Sequence, residues 1–211
     1  MDKVIFLDRD GTINREDGYI TRVDQLHLYE GTVPALKMLK SMGYRIVIVS
    51  NQAGVAKALL TEQALQEINS ALLSLLKAEG ILVDRLYYCP HHPDAIVPEY
   101  KKACECRKPK TGMIVRAEQE LHVMARGAYM IGDKLTDIEL AENFGGRGIL
   151  LLTGYGKQEL KKLDPNKHHP AYIGKDILDA VEWIKKSNIH PPLAPPVKGG
   201  GINVEEIILN L

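Results

Sequence analysis

The sequence lacks a net charge, a long apolar run and the cysteine density of a disulfide scaffold. Its 211 residues carry 27 Lys and Arg against 27 Asp and Glu, so the formal charge is +0. A neutral chain has no long-range attraction for nucleic acid or an anionic membrane, and any polyanion would need a local basic patch. Because 45% of the residues are hydrophobic and 26% are charged, the composition is globular and excludes the disordered and fibrous classes.

The absence of apolar runs bears on location. A membrane-spanning helix needs about 18 consecutive apolar residues, and no window of the sequence approaches that length. The apolar run at residues 4–7 ends at Asp8, whereas a secretory signal needs a longer run and a cleavage site of small residues. We therefore expect a cytoplasmic protein with no membrane or nucleic-acid partner. We also expect a monomer, although the sequence does not fix the oligomeric state.

Short apolar strands alternate with amphipathic helices along most of the chain. This alternation predicts an α/β fold with a central parallel sheet covered on both faces. The predicted strands are residues 4–7, 45–49, 83–88, 128–131 and 148–152, and the predicted helices are residues 33–42, 61–80, 113–121, 137–144 and 177–186. We expect one domain over residues 1–188, then a proline- and glycine-rich linker and tail over residues 189–211.

Three strand ends are rich in acidic and small polar residues. The segments are Asp8-Arg9-Asp10-Gly11-Thr12, Ser50-Asn51-Gln52-Ala53-Gly54 and Gly132-Asp133-Lys134-Leu135-Thr136-Asp137. Ligands bind beyond the carboxyl ends of parallel strands, and carboxylates crowded there repel one another unless a cation joins them. Mg²⁺, a hard ion that takes oxygen ligands, is the expected one. Each Asp alone is explained as a turn former or helix N-cap, but three matched strand ends favour a site.

The same residues suit phosphoryl transfer. A carboxylate such as Asp8 attacks phosphorus to give an aspartyl-phosphate that water then hydrolyses. Asp10, two residues on, would protonate the leaving alcohol and later take a proton from water. Ser50 and the loop after it suit contacts to phosphate oxygens. Lys108 is the candidate for neutralising charge on the transferring phosphoryl group.

In order and in residue type these segments resemble the four signature motifs of the haloacid-dehalogenase superfamily of phosphatases. The resemblance covers most of the chain and implies a three-layer, Rossmann-like fold, with Asp8 as nucleophile and Asp10 as general acid and base. It also implies Mg²⁺ held by the carboxylates of Asp8 and Asp133 and by the backbone carbonyl of Asp10. For Asp137 three roles stay open, which are orienting Lys134, orienting another neighbour, or starting the next helix.

The three cysteines lie in two short segments, Cys89-Pro90-His91-His92-Pro93 and Cys104-Glu105-Cys106-Arg107. Three thiols cannot all pair, which argues against a disulfide framework and leaves free thiols or metal ligands in a reducing compartment. A tetrahedral, structural Zn²⁺ site is favoured over unligated thiols. Its predicted ligands are Cys89, His91, Cys104 and Cys106. On spacing alone His92 competes with His91, and the zinc would pin the loop that leads into Lys108.

This zinc loop narrows the resemblance to the branch of the heptose 1,7-bisphosphate 7-phosphatases and the histidinol phosphatases. The long stretch between the two cysteine segments is similar to the heptose enzymes, since histidinol phosphatases have a shorter loop. The resemblance implies that Arg107 recognises the substrate, while Ser50 and Lys108 stabilise the transferring phosphoryl group. The other pocket residues that it implies are Glu16, Asp17, Gly18, Tyr19, Asn51, Gln52, Ala53 and Lys134.

The activity implied is Mg²⁺-dependent removal of the 7-phosphate of a heptose bisphosphate, in nucleotide-heptose and lipopolysaccharide synthesis. Between Thr12 and Ser50 there is room for one helix and a short excursion, so an essentially capless site is expected. The second phosphate would need a basic contact from Arg107 or Lys110. Residues 154–156, after the fifth strand, are interpreted as a plain turn.

Two alternatives stay open, a histidinol-phosphate phosphatase and a zinc-ordered binding protein without catalysis. A polynucleotide 3′-phosphatase would also carry the Asp8 and Asp10 pair, but the sequence shows no basic, aromatic-rich groove.

Overall fold

Six short segments form one parallel sheet in the computed structural model, which describes residues 3–16 and 18–189. The strands are β1 (Lys3–Leu7), β2 (Tyr44–Asn51), β3 (Arg85–Cys89), β4 (Tyr129–Gly132), β5 (Arg147–Leu151) and β6 (Tyr172–Gly174), in the spatial order β3-β2-β1-β4-β5-β6. The helices are α1 (Thr32–Ser41), α2 (Ala53–Ala56), α3 (Glu62–Ala78), α4 (Gly112–Leu121), α5 (Leu135–Asn143), α6 (Gly156–Leu160) and α7 (Ile177–Ile189). Turns of 3-10 helix lie at Val23–Gln25 and Pro98–Tyr100.

β1 lies in the middle of the sheet because both of its edges are paired. Leu7 is in register with Ile48 of β2 and with Ile131 of β4. The order of strands reverses between β1 and β4, since β1 to β3 extend to one side and β4 to β6 to the other. In such a sheet the crevice for a ligand opens at the carboxyl ends of the two strands that flank the reversal.

Each face of β1 packs against a different helix layer, because alternate strand residues point to opposite faces. Ile5 and Leu7 belong to the core formed with α1, α3 and α7, whereas Val4 and Phe6 belong to the core formed with α4 and α5. This arrangement confirms the predicted three-layer α/β fold.

Local signals set the bounds of α3. The Thr61 hydroxyl accepts a hydrogen bond from the Ala64 N–H at 3.1 Å, which satisfies one of the free donors at a helix start. Gly80, just after the helix, has φ +77°, a left-handed conformation that costs glycine little. Both residues were predicted to delimit this helix.

The sequence prediction missed the shortest elements. β6 has three residues and α2 has four, too few for a hydrophobic period to emerge. Between Thr12 and β2 the described residues form α1, the 3-10 turn at Val23–Gln25 and connecting loops, so no cap domain covers this edge of the sheet. Residues 190–211 of the predicted linker and tail lie outside the described residues, and the boundary at residue 188 stays a prediction. In the described ranges no helix is long and apolar enough to cross a membrane.

Candidate active site

The carboxyl ends of β1 and β4 bring three aspartates together. Asp8 follows β1, Asp133 follows β4, and Asp137 lies in the first turn of α5. Oxygen atoms of the three carboxylates lie within 4.8 Å of one another, and all three residues are buried. We call Asp8, Asp133 and Asp137 the carboxylate cluster. The acidic residues predicted to meet at the strand ends therefore do lie together.

Asp133 is held by one oxygen and leaves the other unpaired. Its Oδ2 accepts the Tyr155 N–H at 2.8 Å, while its buried Oδ1 has no hydrogen-bond partner among the described residues. Burial and the charge of Asp8 raise the pKa of Asp133 to about 8. A Cβ on Gly11 would lie 2.2 Å from Asp133 Oδ2, and one on Gly154 would lie 2.3 Å from it, so glycine is required at both places. An unpaired buried oxygen beside another carboxylate is a donor set that fits a hard cation.

Lys108 enters this cluster as a buried cation. Its Nζ lies 2.8 Å from Asp8 Oδ1 and 2.7 Å from Asp137 Oδ1, and it donates to the Val49 carbonyl at 3.0 Å. Burial alone would lower the pKa of Lys108, but Asp137 and Asp8 together raise it. The ammonium is therefore charged beside the predicted nucleophile, where a phosphoryl oxygen would need it.

Asp137 has two partners, and they indicate which of its three possible roles it takes. One oxygen pairs with Lys108, and the other accepts the Lys134 N–H at 3.2 Å at the start of α5. Burial raises the pKa of Asp137 to about 6 even though Lys108 opposes the shift. Asp137 therefore orients Lys108 and caps a helix in the same place.

Asp10 is not part of the carboxylate cluster, and its carboxylate accepts four N–H donors. Arg9 donates to Oδ1 at 3.0 Å and to Oδ2 at 2.7 Å, Asn14 to Oδ1 at 2.9 Å, and Gln52 to Oδ2 at 2.7 Å. Burial alone would raise the pKa of Asp10, but Arg9, Asn14 and Gln52 hold it below its ordinary value. The structure thus places the predicted acid as a carboxylate beside the other site residues.

The carboxyl end of β2 and the residues that follow it contribute positioned polar groups. Ser50 is buried, and its Oγ accepts from Gln52 Nε2 at 2.8 Å. Asn51 uses its whole side-chain amide on the backbone of Lys108, accepting that N–H at 3.0 Å and donating to the carbonyl at 3.1 Å. Ala53 is buried at the start of α2. Asn51, which was predicted to bind substrate, therefore uses its side-chain amide to hold the backbone of Lys108.

The rim of the site is formed by Glu16, Tyr19, Lys134 and Tyr155. Lys134 Nζ lies 3.2 Å from Glu16 Oε2 and 4.7 Å from the centre of the Tyr155 ring. Burial raises the pKa of Glu16 to about 7, while the carboxylates of Asp8, Asp133 and Glu16 raise that of Lys134 against the effect of its burial. Tyr19 is 45% exposed, and its ring lies against Gly54 and Lys57 in the segment that follows β2. Gly18 has φ +95°, and Asp17, also predicted here, lies outside the described residues.

Sequence reasoning missed two parts of this site. Residues 154–156 are more than a plain turn, since Gly154 packs on Gly11 and Asp133 and the Tyr155 N–H binds Asp133. Their place after the end of β5 was the available signal, by the same strand-end rule that found the aspartates. Arg9 was also missed, because an arginine between two aspartates has no pattern that distinguishes a buried clamp from a solvated side chain.

The four predicted zinc ligands converge as one cluster, which we call the cysteine cluster (Cys89, His91, Cys104 and Cys106). The three sulfur–sulfur separations are 3.2, 3.4 and 3.5 Å, and His91 Nδ1 lies 3.3 Å from Cys106 Sγ and 3.6 Å from Cys89 Sγ. Tetrahedral zinc with Zn–S of about 2.3 Å holds its sulfurs roughly 3.8 Å apart, slightly wider than these separations. The donor set and its geometry therefore fit zinc. His92 is outside the cluster, and its Nδ1 accepts the Asp94 N–H at 3.1 Å.

The two basic residues expected to meet a second phosphate differ. Arg107, directly after the cysteine cluster, donates to the His91 carbonyl at 3.2 Å. Lys110 is 2.9 Å from Glu105 on an exposed surface. Arg107 is therefore tied to the cysteine cluster, while Lys110 is engaged in a surface ion pair.

Two family models match the chain in overlapping parts, one described as polynucleotide kinase 3 phosphatase over residues 3–142 and one as HAD-hydrolase-like over residues 105–180. The D-glycero-beta-D-manno-heptose-1,7-bisphosphate 7-phosphatase of Photorhabdus laumondii is 43% identical over 182 residues, which cover 86% of this chain and 96% of that protein. The protein of the same name from Escherichia coli K12 is 37% identical over 185 residues, covering 86% of this chain and 93% of its relative. The chain belongs to the haloacid-dehalogenase-like phosphatases, in the family of the heptose bisphosphate 7-phosphatases.

A solved structure of this family has the same fold. The D,D-heptose 1,7-bisphosphate phosphatase of B. bronchiseptica, complexed with magnesium and phosphate, superposes with a TM-score of 0.78 at 28% identity and covers 88% of this chain and 99% of its own. The resemblance drawn from the sequence motifs is confirmed. The model matched over residues 3–142 spans every member of the carboxylate cluster and of the cysteine cluster.

Proposed function

We propose that the chain removes the 7-phosphate of D-glycero-β-D-manno-heptose 1,7-bisphosphate, with Mg²⁺ and through an aspartyl-phosphate on Asp8. The observation that carries the proposal is the identity of 37% and 43%, over 86% of the chain, to proteins that bear this activity in their names. The β-anomer is taken from those names, because the site residues alone leave the anomer open. The product would serve nucleotide-heptose and lipopolysaccharide synthesis.

Asp8 would be the nucleophile. Lys108 Nζ, 2.8 Å from Asp8 Oδ1, and the Ser50 hydroxyl would stabilise the phosphoryl oxygens during transfer. Attack forms the bond from Asp8 oxygen to phosphorus and breaks the bond from phosphorus to the oxygen on carbon 7. The leaving alkoxide would take a proton from Asp10, which must bind that proton from solvent or from the substrate's phosphate before the step, because it is ionised in the free protein. Asp10 then takes a proton from water as that water attacks phosphorus, which releases inorganic phosphate and restores Asp8.

The carboxylates of Asp8 and Asp133, with the backbone carbonyl of Asp10, would hold Mg²⁺. The unpaired buried Oδ1 of Asp133 supports this assignment. When bound, the ion would relieve the repulsion within the carboxylate cluster and polarise the phosphoryl group. Asp137 lies near enough to be a ligand, but Lys108 and the Lys134 N–H already engage its oxygens, so we assign it to positioning.

The cysteine cluster would hold a structural Zn²⁺ with no open position for chemistry. Its support is the donor set itself, three thiols and one imidazole whose ligand atoms all lie within 4.8 Å of one another. In the primary sequence Arg107 and Lys108 follow the last ligand directly. The zinc would therefore fix the residue that recognises the substrate and the one that stabilises its phosphoryl group.

Recognition of the sugar would fall to the rim and to Arg107. We assign the second phosphate to Arg107, since Lys110 is paired with Glu105. The remaining residues proposed to line the pocket are Glu16, Asp17, Gly18, Tyr19, Asn51, Gln52, Ala53 and Lys134. We further propose a cytoplasmic monomer without nucleic-acid or membrane partners, supported by the neutral charge and by thiolate ligands, which persist in reducing compartments.

The test is a phosphate-release assay on purified protein with Mg²⁺, using the β-anomer and α-anomer of heptose 1,7-bisphosphate and histidinol phosphate. Phosphorus NMR of the product should show the anomeric phosphate retained and the phosphate on carbon 7 lost, with the β-anomer preferred. EDTA should abolish turnover, and added Mg²⁺ should restore it. Faster cleavage of histidinol phosphate than of either heptose anomer would overturn the proposal and indicate a histidinol-phosphate phosphatase.

A polynucleotide 3′-phosphatase is the second candidate, because one family model of that description matches residues 3–142. Such an enzyme needs a groove of unpaired cations and exposed aromatics for the strand. Here Lys134 and Lys110 are paired with Glu16 and Glu105, which favours the sugar bisphosphate. A 3′-phosphorylated oligonucleotide should release no phosphate under the same conditions, and release at the heptose rate would favour the second candidate.

A further inference from the structure

The acid–base carboxylate of Asp10 has no vacant acceptor position. An ionised carboxylate offers about four lone-pair sites, and here each oxygen accepts two N–H donors. Arg9 Nε and Asn14 bind Oδ1 at 3.0 and 2.9 Å, while Arg9 Nη2 and Gln52 bind Oδ2, both at 2.7 Å. A proton and a leaving-group oxygen can reach this carboxylate only after a donor withdraws.

The donors differ in how firmly they are fixed. Gln52 Nε2 also donates to Ser50 Oγ at 2.8 Å, and Asn14 Nδ2 also donates to the Arg15 carbonyl at 2.9 Å. Each amide therefore keeps a second partner when it releases Asp10. Arg9 is different, since its side chain is 1% exposed and its remaining nitrogen, Nη1, donates to Asn69 Oδ1 at 2.7 Å.

Asn69 anchors this arginine to a rigid element. It is a buried residue in the middle of α3, a helix of 17 residues that packs in the core with α1. Arg9 therefore joins Asp10 to a helix that carries none of the proposed catalytic residues. A bidentate guanidinium fixes both the position and the plane of a carboxylate, and proton transfer requires that plane to face the leaving oxygen.

We propose that Arg9, fixed to α3 through Asn69, is a positioning residue that aims the Asp10 carboxylate at the leaving-group oxygen. The idea deepens the proposed function and rests on it for the role of Asp10. Arg9 would not touch the substrate and would act only through Asp10.

Two substrates with different leaving groups distinguish a positioning role of Arg9 from a purely structural one. An alkyl phosphate needs a proton on its departing alkoxide, whereas p-nitrophenyl phosphate departs as a stable anion and needs none. We would measure leaving-group release in the first turnover by rapid quench, because the later hydrolysis of the aspartyl-phosphate uses Asp10 with both substrates. The variants are Arg9→Lys and Asn69→Leu, the second of which leaves the first motif unchanged.

For both variants, the first-turnover rate with the heptose bisphosphate should fall about tenfold or more, within the range of general-acid contributions. The corresponding rate with p-nitrophenyl phosphate should change less than about threefold. Asp84→Asn is the matched control, because it disturbs a part-buried contact with Lys40 and the Ile46 N–H at the opposite end of the sheet. It should lower the melting temperature and leave the ratio of the two rates unchanged.

Equal losses on both substrates would overturn the role of Arg9 and reduce it to fold stability. If Arg9→Lys fails to fold, Asn69→Leu alone decides, with the same expected ratio. If the wild type does not cleave heptose bisphosphate but cleaves another alkyl phosphate, the substrate assignment fails, and the ratio is measured with that alkyl phosphate instead. The two failures are thus distinguishable.

Discussion

The carboxylate cluster and the cysteine cluster gather metal-binding side chains by opposite means. Asp8 and Asp133 are placed by neighbouring strands of the sheet, and their backbone positions follow from register. Cys104 and Cys106 lie in a loop outside the helices and strands of the described chain, and only Cys89, at the end of β3, is part of the sheet. The strands of the fold hold the carboxylate cluster together, although its carboxylates repel one another. In the cysteine cluster, the proposed metal would give shape to a loop.

The largest effect should come from the nucleophile. Asp8→Asn should lower kcat by about 10⁴-fold or more, because an amide cannot form the aspartyl-phosphate. Asp137, the other carboxylate beside Lys108, is already engaged by Lys108 and by the Lys134 N–H. Zinc content, measured by atomic emission, should stay the same. Asp24→Asn, an exposed acid paired with Arg22, is the control and should keep full activity. Residual turnover near the wild-type rate would mean that the carboxylate cluster is not the reaction centre and would favour the binding-protein alternative.

Lys108 pairs with two buried members of the carboxylate cluster, so its loss should affect both catalysis and stability. Lys108→Met should lower kcat by about 10²- to 10³-fold, as loss of a transition-state donor does. It should also destabilise the fold by about 3–5 kcal/mol, since Asp137 and Asp8 would be left buried without their partner.

Denaturant unfolding with Mg²⁺ absent should separate the two effects of Lys108. The double variant Lys108→Met with Asp137→Asn should regain much of the stability and none of the activity. Lys110→Met, two residues away and half exposed, is the control. Recovery of activity in the double variant would contradict the phosphoryl-stabilising role.

A cysteine ligand should affect stability more than chemistry. Cys104→Ser should lose zinc and lower the free energy of unfolding by more than about 2 kcal/mol. The expected change in turnover is a rise in KM through displaced Arg107, with kcat reduced less than in Lys108→Met. His92→Ala, adjacent to a ligand but outside the cluster, should keep its zinc. Zinc bound at full occupancy in Cys104→Ser would show that Cys104 is not a ligand.

The smallest effect should come from Glu16 and depends on pH. Its pKa is raised to about 7 by burial, from an ordinary 4.5. The folded state therefore keeps a proton that the unfolded chain has lost, and stability falls as pH rises from about 4.5 to about 7. Glu16→Gln removes this dependence, so its melting temperature relative to wild type should rise between pH 5 and pH 8. Glu79→Gln, an exposed acid paired with Lys37, should show no such trend.

Strand ends and motif order were sufficient to predict most of what the two clusters contain. Asp8 and Asp133 are 125 residues apart in the sequence yet meet because parallel strands share an edge, and that rule is readable from the alternation of apolar runs. Lys108 was predicted because phosphoryl transfer needs a cation. Cys89, His91, Cys104 and Cys106 were readable because paired ligands at both ends of a loop have few other uses.

What escaped prediction depends on side-chain direction. His91 was predicted as the ligand although spacing alone left His92 open, and the pairing of Asp137 with Lys108 was one of several open roles. Both are decided by the direction in which a ring or a carboxylate points, which spacing does not encode. Arg9 escaped because burial of an arginine is uncommon and is visible only once α3 is packed beside β1. Tyr155 escaped because its contribution to the site is a backbone N–H, a group that every residue except proline possesses.

The Asn51 side chain binds the backbone of Lys108 in the way that a neighbouring strand would. Its amide accepts the N–H and donates to the carbonyl of Lys108, the same two groups that a ladder of parallel strands would engage. The position of Lys108 is therefore set by the end of β2 as well as by the cysteine cluster before it in the chain. Insertions or deletions within residues 92–103 should therefore change the outline of the surface while leaving the ammonium where it is.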